Sequence, residues 1–342
     1  FYEAVRDYAR GEEKRAFLTK PLSERRFDEL QPDKDANWLG QTSNDFESFI
    51  AVATKETKVA KTRGQERAIF KMFSLGVVTS RDDWVYDFSV EKLRGKIIYI
   101  IKSYNDSISR QSENLDSKIK WSRSVLKDKK NNISYKFQSE SILDTQYRFF
   151  VKKKLYFDKK LNEMQYQLNR MKIATRYISF NASNNNQWNV FSSNVFFDYN
   201  CFYGGSIHLP FEVGAIEDDR QSNITDWSLE QFRTAYANPS LRGAPKRDAA
   251  IQTRSDPSTG LLRSAHNDGE RAALNDDEIS KLDIFHYVYA VLHDPVYREA
   301  YALNLKREFP RIPFYPDFFQ WAAWGETLMA LHTGFETVEP WP

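Results

Sequence analysis

The chain has 342 residues and sets 49 Lys and Arg against 47 Asp and Glu, a net charge of +2, so a phosphate-binding face has to come from the distribution of charge and not from its total. A single cysteine, Cys201, excludes an intramolecular disulfide and cysteine-built zinc sites. A mean hydropathy of −0.64, with no apolar run of about 18 residues, excludes a helical membrane span and leads us to expect a soluble, cytoplasmic protein.

Residues 1–132 read as a mixed helical connector. The charged run Glu12–Arg15, followed by Phe17 and Leu18 and broken at Pro21, predicts a short helix, with Phe27, Leu30, Trp38, Leu39, Phe46 and Phe49 as anchors of short helices and loops. Ile69 to Phe88 reads as a buried segment with a turn at Gly76, a short strand at Val77–Val78, and a half-buried strand through Trp84, Tyr86 and Phe88. Arg81, beside Asp82 and Asp83, suits either a DNA or interdomain contact or a turn ion pair. Ser89 as N-cap, with Leu93, Ile97, Ile100, Ile101 and Tyr104 at helical spacing, predicts a helix over 89–104 and then a polar linker over 105–117. Lys118–Lys130, basic around Trp121, fits a phosphate-contacting surface or an exposed helix face.

Residues 133–221 are the most strand-like part. Tyr135 and Phe137 alternate, and Phe149–Val151, Leu155–Phe157, Tyr166–Leu168 and Ile173–Phe180 are short apolar or aromatic runs between polar turns, which predicts an antiparallel sheet or a curled barrel-like layer. Within it, Thr145–Arg170 interleaves Arg148, Lys152, Lys153, Lys154, Lys159, Lys160 and Arg170 with Tyr147, Phe149, Phe150, Tyr156, Phe157 and Tyr166. Clustered cations neutralise phosphates, and rings beside them can stack on bases. The same pattern also describes a sheet with aromatics in the core and lysines on a solvated face. The following run, Phe180–Asn194, holds Asn184, Asn185, Asn186 and Gln187, whose amides carry the donor–acceptor pair for adenine in the major groove, although Asn is equally at home in a plain polar loop. Val195–Val213 is again β-like, with a turn at Gly204–Gly205.

Residues 222–342 read as a helical region. Asn223 or Thr225 caps a helix bearing Trp227, Leu229, Phe232 and Tyr236; residues of about 238–280 form an exposed, flexible insertion. Ile284–Leu292 shows one wide apolar helix face, Asp294 and Pro295 start the next helix, and a last helix through Phe318–Trp324 closes near Gly334. The whole reads as an α+β chain: helical connector, central antiparallel β-rich region as the candidate for DNA recognition, and C-terminal helical platform.

Catalytic signatures are weak. Asp294-Pro295-Val296-Tyr297 approaches the (Asn/Asp)-Pro-Pro-aromatic tetrapeptide of adenine methyltransferases but lacks the second Pro and a preceding Gly-rich turn. Pro32-Asp33 and Asp158-Lys159-Lys160 match a Mg-dependent nuclease only in letters common in so charged a chain. No phosphate-cradling Gly-rich motif occurs, and His208, His266, His286, His293 and His332 lack ligand spacing. Whether the chain is an enzyme by itself stays open on these residues.

The run YRFFVKKKLYFDKKLNEMQYQL resembles the central block of the C-terminal specificity, or target recognition, domain of Type ISP restriction–modification enzymes. FKMFSLGVVTSRDDWVYDFS (Phe70–Ser89), IKWSRSVLK (Ile119–Lys127), SNITDWSLEQF (Ser222–Phe232) and the block Asp283–Tyr315 follow in the same order, with the resemblance weakest over 172–220 and 237–280. Such enzymes join nuclease, helicase-like translocase, adenine methyltransferase and target recognition domain in one polypeptide, and a start at Phe1 leads us to expect an excised piece of one. The resemblance implies sequence-specific recognition of double-stranded DNA beside an adjacent methyltransferase domain. S-adenosylmethionine, ATP and Mg would serve the parent enzyme, with no cofactor in this chain. Two alternatives are a protein-docking structural module and a self-contained Mg-dependent nuclease.

Overall fold

The computed structural model describes residues 3–6, 8–32, 36, 38, 42, 44–55, 57, 67–112, 114–163, 168–181, 188–202, 205–214, 219–243 and 278–339. Asp33, Leu39, Tyr166, Asn184–Gln187, Gly204, His266 and most of the expected insertion, 244–277, lie outside them. The chain forms two units, Phe1–Asp45 and Phe46–Pro342. In the first, α1 (Gly11–Leu18) stops at Thr19, two residues before the expected break at Pro21, and buries none of its residues. Arg25 ties this unit together, 2.6 Å from Glu3 Oε2 and over the rings of Phe17 and Phe27.

The second unit begins with β1 (Ile50–Ala51). Gly76 makes the expected turn with φ +81, where a Cβ would meet His208 Nε2 at 2.7 Å. Val77 then makes only an isolated parallel bridge to Asp198, not a strand. The strand expected through Trp84 is instead α2 (Asp82–Val85) followed by the short β2 (Tyr86–Asp87). The cause is Arg81, 4% exposed, which donates to the carbonyls of Lys120 and Leu161 and to Glu163 Oε1 at 3.1 Å, pinning the chain into a turn; its ion pair is with this distant acid and not with the neighbouring Asp82 or Asp83.

α3 (Val90–Ser109) starts as expected, Ser89 Oγ accepting from Lys92 N–H, and buries Leu93, Ile97, Ile100, Ile101 and Tyr104. It runs into the expected linker because Asn105 is clamped to both backbone groups of Tyr135, at 2.9 and 3.0 Å. α4 (Arg123–Lys130) is capped by Ser122 and buries Val125. Tyr135 lies on no strand: its ring stacks on Tyr104 with centroids 4.2 Å apart.

β3 (Ile142–Arg148) and β4 (Val151–Tyr156) form an antiparallel hairpin. α5 (Leu168–Met171) occupies part of an expected strand. β5 (Tyr177–Asn181), β6 (Val190–Ser193), β7 (Phe196–Phe197) and β8 (Ser206–Pro210) follow. One sheet has the order β2-β4-β3-β7, with β7 parallel to β3; the other has the antiparallel order β6-β5-β8, every residue buried. A short ladder joins β9 (Glu212–Val213) to β10 (Gln221–Ser222).

Thr225, not Asn223, caps α6 (Asp226–Ala235); Asn223 is buried and bonded to both backbone groups of Met72 and to Pro210 O. α7 (Pro239–Arg242) leads away from it. α8 (Lys281–His293) buries every residue from Ile284 to Leu292, so it is a central helix and not the one-faced helix expected. Asp294 caps α9 (Pro295–Ala300), and α10 (Ala302–Leu305) and β11 (Arg311–Ile312) precede α11 (Phe318–Thr333), which ends at Gly334. β11 pairs with β1, Ile312 opposite Ile50. Gly325 lets α11 reach α8: a Cβ there would overlap the His286 carbonyl. Two cores result, one joining β5, β8, α6, α8 and α11, the other joining α3, α4, β4 and β7. The α+β class and the C-terminal helical packing are as expected. Among the described residues no helix is long and apolar enough to cross a membrane.

Candidate nucleic-acid interface

Strand geometry decides what the basic run at 152–154 can do. Successive side chains leave a strand on opposite faces, and β4 pairs with β3 in the register Lys154 with Asp144, Lys153 with Thr145 and Lys152 with Gln146. Lys152 and Lys154 therefore share one face and Lys153 takes the other, so the three do not form one cationic edge. Each is half-buried and engaged. Lys154 Nζ lies 2.6 Å from Asp144 Oδ1; Lys152 Nζ lies 2.9 Å from Glu336 Oε2 and 5.0 Å from the Phe335 ring centroid. Lys153 Nζ stands 3.9 Å from the Tyr147 ring and 5.1 Å from that of Phe88, which is 70% exposed. A cation beside an exposed ring is the pairing that suits nucleic acid.

Arg148, at the end of β3, is held by acids. Its Nη1 donates to Asp198 Oδ1 at 2.8 Å, its Nη2 lies 3.7 Å from Asp82 Oδ2, and its guanidinium carbon is 3.9 Å from the Tyr147 ring centroid. Asp198 is 2% exposed and also accepts from the Tyr86 hydroxyl at 2.9 Å and the Asn200 N–H at 2.8 Å. Burial pushes its carboxyl up to about 6 against the downward pull of these donors and of Arg148. Burial, reinforced by Asp198, also raises the Tyr86 hydroxyl well above the ordinary tyrosine range. The Tyr147 hydroxyl donates to Asp82 at 3.1 Å, so Arg148 staples α2, the hairpin and the turn after β7 to one another.

Phe149 and Phe150 make the hairpin tip. Phe149 meets Phe191 of β6 at 4.9 Å and Phe202 at 5.2 Å, and Phe150 meets Phe191 at 5.2 Å and Phe335 at 5.4 Å. Beyond the hairpin, Lys159 is exposed, Lys160 Nζ stands 4.6 Å from the Tyr135 ring centroid, and Arg170 on α5 is half-buried. Asn184, Asn185, Asn186 and Gln187 lie outside the described residues, but the base from which they leave is fixed: Asn189 N–H donates to Asn181 Oδ1 at 2.8 Å. That base belongs to the strand pair whose Phe191 touches the hairpin tip.

Residues 68–342 match the Type ISP C-terminal specificity domain. The chain belongs to that family. The cryo-EM structure of a DrdV–DNA complex is similar, with a TM-score of 0.80 and 40% identity over 100% of this chain and 31% of the DrdV chain. LlaBIII, an ATP-dependent Type ISP restriction–modification enzyme bound to DNA, gives a TM-score of 0.70 and 21% identity over 92% of this chain and 18% of its own. A nuclease-deletion mutant of the Type ISP enzyme LlaGI, in complex with a DNA substrate mimic, gives 0.65 and 22% over 91% and 21%. At those two identities the likeness is one of fold. The chain spans less than a third of the length of each of these proteins. No curated protein sequence matches it.

In this Type ISP specificity domain the letter matches to catalytic motifs have structural uses. The Asp294 carboxylate accepts from the N–H groups of Val296 and Tyr297, and the buried Tyr297 hydroxyl donates to Arg311 O, so the tetrapeptide is a helix cap. Asp158 Oδ1 accepts from Lys160 N–H at 2.7 Å within a turn. Among the described residues no three His, Cys, Asp or Glu side chains are grouped to hold a metal. His208 is buried between the hydroxyls of Ser179 and Ser206, at 2.7 and 2.9 Å, and burial pushes it down to about 3, leaving a neutral packing group. Asp82, Asp198, Phe335 and Glu336, which hold the basic residues in place, carry no signal linking them to the hairpin, because each comes from a distant part of the sequence.

Proposed function

We propose that this specificity domain reads double-stranded DNA sequence-specifically as the target recognition domain of a restriction–modification enzyme. It would hold the duplex, in the cytoplasm, while an adjacent methyltransferase domain modifies adenine N6 and other domains cleave according to site status. The observation that supports this most is the 40% identity, over the entire chain, with DrdV, whose structure is a DNA complex. On this reading 133–221 carries recognition between the connector over 1–132 and the helical region over 222–342. Arg148, Lys152, Lys153, Lys154, Lys159, Lys160 and Arg170 are the candidate phosphate contacts. Lys153 and Lys159 lead them, since one faces an exposed ring and the other is exposed, whereas Arg148, Lys152 and Lys154 are committed to carboxylates. Asn184, Asn185, Asn186 and Gln187 are the candidates for base edges.

The test is binding of the chain to random-sequence duplexes over a salt series, followed by sequencing of the bound fraction. A steep salt slope with one enriched motif is expected. No binding at low salt would refute the proposal in favour of a protein-docking module.

A further inference from the structure

Phe150 sits at the tip of the β3–β4 hairpin with φ +55. A bulky residue is disfavoured in that left-handed region, where its Cβ crowds a neighbouring carbonyl; turns that need it ordinarily use Gly, Asn or Asp. Burial compensates only in part, since Phe150 is 53% exposed. Its covered side rests edge-on against Phe191 and Phe335, and these are fixed in turn: Phe191 is fully buried and stacked on His332, and Phe335 lies under the Lys152 ammonium. The result is one apolar ring projecting from a rigid aromatic base, with Arg148 and Lys152 close by in the chain. Strain kept at an exposed tip, where glycine would relieve it, marks a side chain that serves contact and not folding.

We infer that Phe150 is a wedge that inserts between stacked bases of the bound duplex. The inference rests on the DNA reading above and adds a residue that acts on the base stack itself. Apolar side chains driven between base steps unstack them and kink the duplex, and a rigid support keeps the ring from folding away under that load. Phosphate contacts need no ring, so cations alone do not account for Phe150.

The experiment compares the unaltered chain with Phe150→Gly, Phe150→Asn and Phe150→Tyr on duplexes that the unaltered chain enriches from a random pool. In these duplexes each adenine in turn is replaced by 2-aminopurine, whose fluorescence rises when it unstacks. The unaltered chain should raise the fluorescence at one step. Phe150→Gly, shown to be folded by circular dichroism, should bind about tenfold more weakly and give no rise, with Phe150→Tyr restoring both. Phe150→Asn, which also tolerates the left-handed region, makes the same comparison if Gly loosens the hairpin. Unchanged affinity and fluorescence in both replacements would overturn the inference, as would weaker binding with the rise intact, or tight binding by the unaltered chain with no rise at any adenine. Failure of the unaltered chain to bind any duplex would instead remove the DNA reading, and the wedge with it.

Discussion

Replacing Arg148 by Gln separates a structural staple from a phosphate contact. The exchange leaves Asp198, 2% exposed, with only the Tyr86 hydroxyl and the Asn200 N–H. Removing one partner of a buried pair costs roughly 3–5 kcal/mol when the remaining charge has no escape. Here it has one, because the Asp198 carboxyl already titrates at about 6, and protonating it at pH 7.5 costs about 2 kcal/mol at about 1.36 kcal/mol per pH unit. The loss should therefore be held to about 2–3 kcal/mol at pH 7.5. It should shrink below half at pH 5.5, where Asp198 of the unaltered protein is mostly protonated and Arg148 faces a neutral acceptor. With about 2.1 cal/mol/K of unfolding entropy per residue and a unit of about 300 residues, the melting temperature should drop by about 4 °C at pH 7.5. Thermal denaturation followed by circular dichroism at both pH values measures this. Equal melting at pH 7.5, or a deficit that persists on acidification, would refute the staple. Asp198→Asn should cost less, since Asn keeps an acceptor for Tyr86, and Arg148, 37% exposed, can turn to Asp82 or water.

Gly325→Ala should destabilise the protein by about 1–3 kcal/mol despite the better helix propensity of Ala, because α8 and α11 must part; an unchanged midpoint in urea would count against that packing. Acidification should destabilise the fold. Burial holds His208 at about 3 and His293 and His332 at about 4, below the ordinary value of 6.5, so the stability they carry is fully present above pH 6.5 and is lost as pH falls through 6.5 toward 4. Asp198, raised to about 6, works in the opposite direction, its cost appearing as pH rises through 6. Melting curves at pH 7 and pH 4.5 should show the three histidines prevailing; a higher midpoint at pH 4.5 would show otherwise. Lys159→Ala should weaken binding to all duplexes and reduce the salt slope by about 1, while Lys154→Ala, whose ammonium is neutralised by Asp144, should change the slope less; equal slopes for the two variants would undo that ranking.

Local signals carried the sequence reading furthest. Ser89, Thr225, Asp294 and Gly334 each bound a helix within a residue or two of where caps and spacing put it, because a cap is a bond between near neighbours. The reading failed where a distant group decides. Trp84 looked like strand because its alternation with Tyr86 and Phe88 is local, while Arg81 bonding to Lys120, Leu161 and Glu163 makes the turn. The aliphatic residues and Phe285 of α8 read as one face, yet Tyr287 and Tyr289 between them are buried as well, their hydroxyls partnered by Pro313 O and His332 Nδ1. At the candidate interface the run of lysines was legible, but its division between two faces and its acidic partners depend on register and on residues far along the chain.

The pairing of β1 with β11 also bears on the order in which the protein can be made. Ile50 meets Ile312, and Val52 N–H donates to Pro310 O, across roughly 260 residues of intervening chain. At about 5–20 residues per second, a ribosome needs some tens of seconds to deliver the second strand after the first. Through that interval only one side of β1 is paired, by the N–H groups of Ile69 and Phe70 donating to the carbonyls of Ala51 and Val52, and α8, buried on every side in the finished fold, emerges before α11 exists to cover it. Slowing translation before residue 310 should therefore lower the soluble yield of the chain more than slowing it elsewhere.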